Sequence, residues 1–123
     1  MSDTGPAGLK LATVSIDSAD AEALARWWAN VLGGTVGAFP EAGFWNLTAD
    51  CLDGHYLGFN QVEQPTPGKN RIHLDFSAPD SAAAAAALVA AGAELIRDNE
   101  FQGLAWVTMA DPDGNLFDIT DGI

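Results

Sequence analysis

The strongest constraint on the fold is an internal repeat, because a shift of 60 residues superimposes segments of the same character. Residues 13–20 fall on residues 73–80, and each segment is an alternating, strand-like run that ends at an aspartate suited to begin a helix. Residues 53–55 fall on residues 113–115, and each tripeptide is a turn before an apolar strand. A fold built from two copies of one module is therefore predicted.

Each copy has the pattern of a strand, a helix and then three strands. In the first copy the predicted helix begins at Asp20 and ends at Gly33-Gly34. Its apolar face repeats at helical spacing, with Leu24, Trp27, Trp28, Val31 and Leu32. The predicted strands of this copy are 10–17, 35–39, 44–49 and 56–62. In the second copy the predicted strands are 71–77, 94–97, 104–110 and 116–120, with a helix over 81–91.

Segments that contain proline and glycine separate the two copies and form a turn within the second copy. Residues 63–70 contain two prolines and a glycine and are interpreted as a linker between repeat modules 9–62 and 71–121 of one domain, 1–123. The run from Asp111 to Asn115 places proline and then Asp-Gly between two strands, which predicts a hairpin turn.

Composition excludes several broad classes of protein. Apolar residues make up 48% of the chain and charged residues 18%, which is enough to build a core. The single cysteine, Cys51, allows no intrachain disulfide. The polar, glycine-rich start does not resemble a signal peptide, and no apolar stretch approaches the roughly 20 residues needed to cross a bilayer, so we expect a cytoplasmic protein without a membrane partner. The net charge of −12 argues against nucleic-acid binding. The acidic residues either keep the surface soluble, which is the preferred interpretation, or attract a cationic ligand.

Three ordered segments make the chain similar to the vicinal oxygen chelate superfamily, also called the glyoxalase/bleomycin-resistance/dioxygenase proteins. The first runs from Asp20 through Trp27-Trp28 to Gly33, the second is residues 69–75 (Lys-Asn-Arg-Ile-His-Leu-Asp), and the third is residues 110–118 around Asp-Pro-Asp-Gly-Asn. The resemblance, which is to a glyoxalase-like subgroup, implies an α+β fold in which paired βαβββ modules form a curved mixed sheet with a cup. It also implies a homodimer.

The resemblance also implies four metal-ligand positions, two on the first strands and two on the last strands of the modules. Their matches here are Thr13, Gly58, His73 and Asp118. Imidazole and carboxylate coordinate divalent metals well, whereas a threonine hydroxyl coordinates poorly and glycine has no side chain. We therefore expect no cofactor, and a divalent metal at His73 and Asp118 is the alternative.

His73 and Asp118 are the candidate catalytic residues, because the two side chains could pair as a general acid/base dyad. A strand histidine is also common as a hydrogen-bonded structural residue, so both interpretations stay open. His55 follows Asp53-Gly54 and is interpreted as a loop residue. A shifted strand frame would bring Asn60 or Gln61 inward instead.

Aromatic residues on the predicted strands suggest a binding cavity for a small molecule. Trp45, Phe59 and Trp106, together with Thr13, are the candidate ligand-binding residues, although strand aromatics also serve as core. Three functions remain at this point. The preferred one is a metal-independent binding protein similar to the drug-sequestering branch of the superfamily. The second is a metal-dependent or acid/base lyase, isomerase or dioxygenase that uses His73 and Asp118, and the third is a domain without a ligand.

Overall fold

The computed structural model describes residues 11–67 and 73–121. The chain forms two compact units that divide between Pro65 and Thr66, inside the segment predicted as a linker. Within the described ranges, no helix is long and apolar enough to cross a membrane. The predicted strand starts at Lys10 and Arg71 lie outside the described residues.

The first unit is a four-stranded mixed sheet with one helix. Its strands follow the order β1-β4-β3-β2, with β1 parallel to β4 and the other neighbours antiparallel. Short 3-10 turns precede β3 and β4, at Pro40–Ala42 and Asp50–Leu52. The elements are β1 (Thr13–Ser18), α1 (Ala21–Leu32), β2 (Thr35–Phe39), β3 (Phe44–Thr48) and β4 (Tyr56–Gln61).

The second unit repeats this plan with the strand order β5-β8-β7-β6, and β5 is parallel to β8. The predicted α+β class and the two βαβββ modules are therefore confirmed. The elements are β5 (Leu74–Ala78), α2 (Ser81–Ala90), β6 (Glu94–Phe101), β7 (Leu104–Ala110) and β8 (Leu116–Asp121).

One strand, β6, differs from its prediction because it runs to Phe101 instead of ending at Arg97. Its second half contains Asp98, Asn99 and Glu100, residues that are depleted in strands. Antiparallel pairing with β7, across a bulge between Leu95 and Arg97, extends the strand in spite of these side chains.

The repeat holds at the level of single hydrogen bonds. Asp20 caps α1 by accepting from the backbone N–H of Ala23, and Asp80 caps α2 by accepting from Ala83. The parallel strands also match, because Ser15 pairs with Gly58 in the first module and Asp75 pairs with Asp118 in the second. Each of these positions moves by 60 residues between the modules.

A side chain at the end of the last strand holds each helix start. In the first module the Gln61 side chain accepts from the backbone N–H of Ala21 at 2.9 Å and donates to the Ala19 carbonyl. In the second, Asp121 accepts from the N–H of Ser81 at 2.7 Å. The backbone and side-chain hydrogen bonds from Ser81 lower the pKa of Asp121 below its usual range, because they favour the ionised carboxylate. The last strand thus holds the helix start with an amide side chain in the first module and with a carboxylate in the second.

Each sheet buries one face under its own helix. In the first module α1 lies against β3 and β4 and buries Leu24 and Trp28, whose ring meets that of Trp27 edge to face. In the second module the alanine-rich α2 lies against β7 and β8 and buries Ala85, and β8 buries Phe117 and Ile119. Side chains alternate along a strand, so every sheet also has an opposite side, called here the open face.

Candidate functional site

Three ionisable side chains meet on the open face of the second module. His73 directly precedes β5, Asp75 lies in β5, and Asp118 lies beside Asp75 in β8. His73 Nδ1 is 3.3 Å from Asp75 Oδ1 and 3.6 Å from Asp118 Oδ2. The structure therefore brings together the two predicted catalytic residues, and it adds a second carboxylate to them.

Asp118 is the least exposed member of this group and is held from the other side by β7. Its side chain is 17% exposed, against 43% for His73 and 62% for Asp75. The buried hydroxyl of Thr108 donates to Asp118 Oδ1 at 2.7 Å, which is a short hydrogen bond to a charged group. With Oδ1 occupied in this way, Asp118 presents Oδ2 to His73.

Trp106 lies on this open face as well. It precedes Thr108 by two residues in β7 and pairs with Thr120, which follows Asp118 by two residues in β8. Diagonal neighbours of this kind on one sheet face are within reach of an aromatic side chain. The predicted ligand-binding role of Trp106 stays a prediction, and its position beside the acidic group agrees with it.

Trp45 and Phe59 lie elsewhere, and here the structure corrects the expectation that they line the cup with Thr13. The two residues are paired across β3 and β4, and both are buried on the side of the sheet that α1 covers. Thr13 and Gly58 belong to the other, open face. Burying large apolar rings between a sheet and its helix removes much apolar surface from water, which explains why these two aromatic residues lie in the core.

The open face of the first module has no counterpart of the acidic group. The residues at the positions of His73, Asp75 and Asp118 are Thr13, Ser15 and Gly58. A Cβ atom at Gly58 would stand 2.9 Å from Phe44 Cε1, 3.0 Å from Ser15 Oγ and 3.1 Å from Thr13 Cγ2. The space that a carboxylate would need is already filled by these neighbours.

The packing around Gly58 bears on the metal site that the superfamily resemblance implies, because that site needs a ligand side chain at this position. Of the four expected positions, Thr13 and Gly58 in the first module do not fit, since one is a poor ligand and the other has no room for a side chain. In the second module His73, Asp75 and Asp118 each offer one ligand atom, and the three atoms lie within 4.8 Å of one another. The residues present do not reproduce the four-position site.

Two polar residues of the site were not predicted from the sequence. Asp75 follows His73 by two positions, so the period of a strand could have placed both on one face. Thr108 had no such signal, because its role depends on the register between β7 and β8.

The turn before β8 has a structural role. Asp111 is buried, and its Oδ1 accepts from the backbone N–H groups of Asp113 and Asn115. The Asn115 side-chain amide donates to both of its carboxylate oxygens. Gly114 has a φ of 88°, which favours glycine. The predicted hairpin is confirmed, and it fixes the start of the strand that carries Asp118.

The two βαβββ modules thus place His73 and Asp118, two of the four positions that the resemblance implies, close together on one face of the second sheet. Residues 13–120 match the family model of the glyoxalase-like domain, and the chain belongs to that family. No protein of curated function matches the chain.

Solved structures agree on the fold. A glyoxalase/bleomycin resistance protein/dioxygenase family enzyme from Burkholderia phytofirmans PsJN is 22% identical with a TM-score of 0.76, and the match covers 94% of this chain and 100% of that one. A glyoxalase-related enzyme from Fulvimarina pelagi is 21% identical with a TM-score of 0.72, over 92% of this chain and 88% of that one. A lactoylglutathione lyase from Agrobacterium tumefaciens is 14% identical with a TM-score of 0.68, over 92% and 93%.

Proposed function

We propose that this chain binds a small cationic molecule on the open face of its second module, without the four-ligand metal site of the superfamily. The observation that carries the proposal is the grouping of Asp118 Oδ2 and Asp75 Oδ1 around His73 Nδ1. No such grouping can form at Gly58 in the first module, because its neighbours fill the space.

The charge of this group determines the sign of its ligand. Two carboxylates and a neutral imidazole carry a charge of −2, and the same group with a protonated imidazole carries −1. The site is thus anionic in either state, and it belongs to a chain with a net charge of −12. The charge of the site and the net charge of the chain both attract cations and repel phosphates and carboxylates.

The geometry favours a flat cation with N–H donors, such as an aromatic amidine or amine. Asp118 can accept from such a donor through Oδ2, while Thr108 occupies Oδ1. Asp75 is largely exposed and can accept from a second donor. Trp106, on the same face, offers a planar surface that attracts a cationic ring.

Benzamidine, an aromatic amidinium, is a suitable probe for equilibrium titration followed by tryptophan fluorescence. We expect saturable binding, which Asp118→Asn weakens by at least about tenfold, because a hydrogen bond to a charged group is lost. Asp17→Asn is the matched control, since Asp17 is a carboxylate on the open face of the first module and should not affect binding. Equal affinities for all three proteins, or failure of benzamidine and of other aromatic cations to bind, would contradict the proposal.

A second candidate function is acid–base catalysis, favoured by the same pairing of His73 with carboxylates. A histidine beside an ionised carboxylate can take and return a proton at a bound substrate. The Agrobacterium tumefaciens protein is a lactoylglutathione lyase, and its likeness to this chain concerns the fold.

Elemental analysis tests the metal-dependent form of the enzyme alternative. We expect purified protein to contain no stoichiometric divalent metal that depends on His73. A bound metal that disappears in His73→Ala would overturn the preference for a metal-independent binding protein. The predicted homodimer is measured in the same preparation by light scattering.

A further inference from the structure

A chain of hydrogen bonds crosses the open face of the second module from its edge strand to Asp118. Arg97 Nε donates to Asn99 Oδ1 at 2.9 Å, and Asn99 Nδ2 donates to Thr108 Oγ1 at 2.9 Å. Thr108 Oγ1 donates to Asp118 Oδ1 at 2.7 Å. The chain thus joins β6, β7 and β8 along one face of the sheet.

Every hydrogen bond in this chain has a fixed direction. A guanidinium N–H can only donate, so the amide oxygen of Asn99 faces Arg97 and its NH₂ group faces Thr108. The carbonyl of Trp106 can only accept, and it receives a second hydrogen bond from the same NH₂ group. The Thr108 hydroxyl therefore accepts on the Asn99 side, and its proton points to the carboxylate of Asp118.

We infer that Thr108 is a positioning residue for the ligand-binding carboxylate of Asp118. Its directed hydroxyl holds Oδ1, and Oδ2 therefore stays turned toward His73 and the ligand. Thr108 is itself buried, so it acts on the ligand through Asp118 and not by direct contact. This inference rests on the proposed function for its effect on affinity, but its effect on the carboxylate can be measured without any ligand.

Thr108→Val tests this role, since valine keeps the shape and strand preference of threonine and removes the hydroxyl. Thr108→Ser restores the hydroxyl. Thr120→Val is the matched control, because Thr120 lies on the same face and its hydroxyl donates to the Phe76 carbonyl at 3.2 Å instead of to Asp118. Crystal structures of these variants give the orientation of the Asp118 carboxylate, and titration with benzamidine gives the affinity.

We expect the Asp118 carboxylate to turn in Thr108→Val and to keep its orientation in Thr108→Ser and Thr120→Val. Benzamidine affinity should fall about fivefold to tenfold in Thr108→Val and stay at the wild-type value in the other two. Circular dichroism checks folding, and Thr108→Ala, which should show the same loss, replaces the valine variant where that variant does not fold.

The outcomes separate this inference from the proposed function. If wild-type protein does not bind benzamidine or other aromatic cations, the proposed function fails, and the crystal structures alone decide the role of Thr108. An unmoved carboxylate in Thr108→Val overturns the inference. Where wild-type protein binds the probe, an unchanged affinity, or an equal loss in Thr120→Val, overturns it as well.

Discussion

The two modules share a backbone plan but carry different side chains at one pair of neighbouring strand positions. In the first module this pair is Ser15 and Gly58, closed over by Phe44, and in the second it is Asp75 and Asp118, beside His73. The helix caps and the register of the parallel strand pair are the same in both. The duplicated backbone therefore fixes where a side chain projects, while the residue at that position decides whether the face is packed or carries ionisable groups.

The largest effect should come from adding a side chain at the packed position. Gly58→Ala places a methyl group 2.9 Å from Phe44 Cε1, so we expect a loss of about 1–3 kcal/mol in the free energy of unfolding by overpacking. Urea denaturation measures it. Phe44→Ala should reduce the penalty of Gly58→Ala in a double-mutant cycle. Additive losses would contradict the assigned packing, and Asn60→Ala, on the same strand face, is a control with a small effect.

The side chains that hold the helix starts should respond differently to acid. Gln61→Ala should cost about 1 kcal/mol, since two hydrogen bonds to backbone groups are lost, and this cost should not depend on pH. Asp121 has a lowered pKa in the folded state, so its contribution is present above the ordinary aspartate pKa and is lost as the pH falls through the folded value.

Urea denaturation between pH 7 and about pH 3 measures this difference, since an unperturbed aspartate titrates near 4. Wild-type protein should lose stability relative to Asp121→Asn as the pH falls below about 4, because the asparagine keeps an acceptor that does not titrate. The same dependence on pH in wild-type protein and in Asp121→Asn would show that Asp121 is not the titrating group.

The two helix caps should be equivalent. Asp20→Ala and Asp80→Ala each remove the acceptor for one N–H in the first turn, and each should cost about 1 kcal/mol in thermal or urea denaturation. Replacement by serine, a good capping residue, should restore most of the stability. A large effect at one cap and none at the other would contradict the equivalence of the two helix caps.

The smallest effect should come from an ion pair that the first module alone has. Arg26 pairs with Glu22 at 2.9 Å one turn apart on α1, and the equivalent positions of α2, residues 86 and 82, are both alanine. Both partners are largely exposed, so Arg26→Ala should change the unfolding free energy by less than about 0.5 kcal/mol. A larger loss of unfolding free energy at moderate salt would mean that the aliphatic part of the Arg26 side chain packs against the protein.

The sequence pattern predicted the two central residues of the candidate site, but not every residue that lies around them. The match of His73 and Asp118 to superfamily positions, with Thr13 and Gly58 as their repeat partners, identified the asymmetry. Pattern did not assign Trp45 and Phe59 correctly, because alternation puts Phe44 and Trp45 on opposite faces without saying which face α1 covers. Nor did it show the end of β6, where pairing with β7 overrides the polar composition.

The sequence by itself determined the duplicated plan, the helix starts at Asp20 and Asp80, and the turn at Asp111, because those signals lie between residues close together in the chain. The tertiary structure decided that Thr108 holds Asp118 and that Phe44 closes the space over Gly58. Both contacts join different strands, so they exist only after the register has been set by burying one face of each sheet.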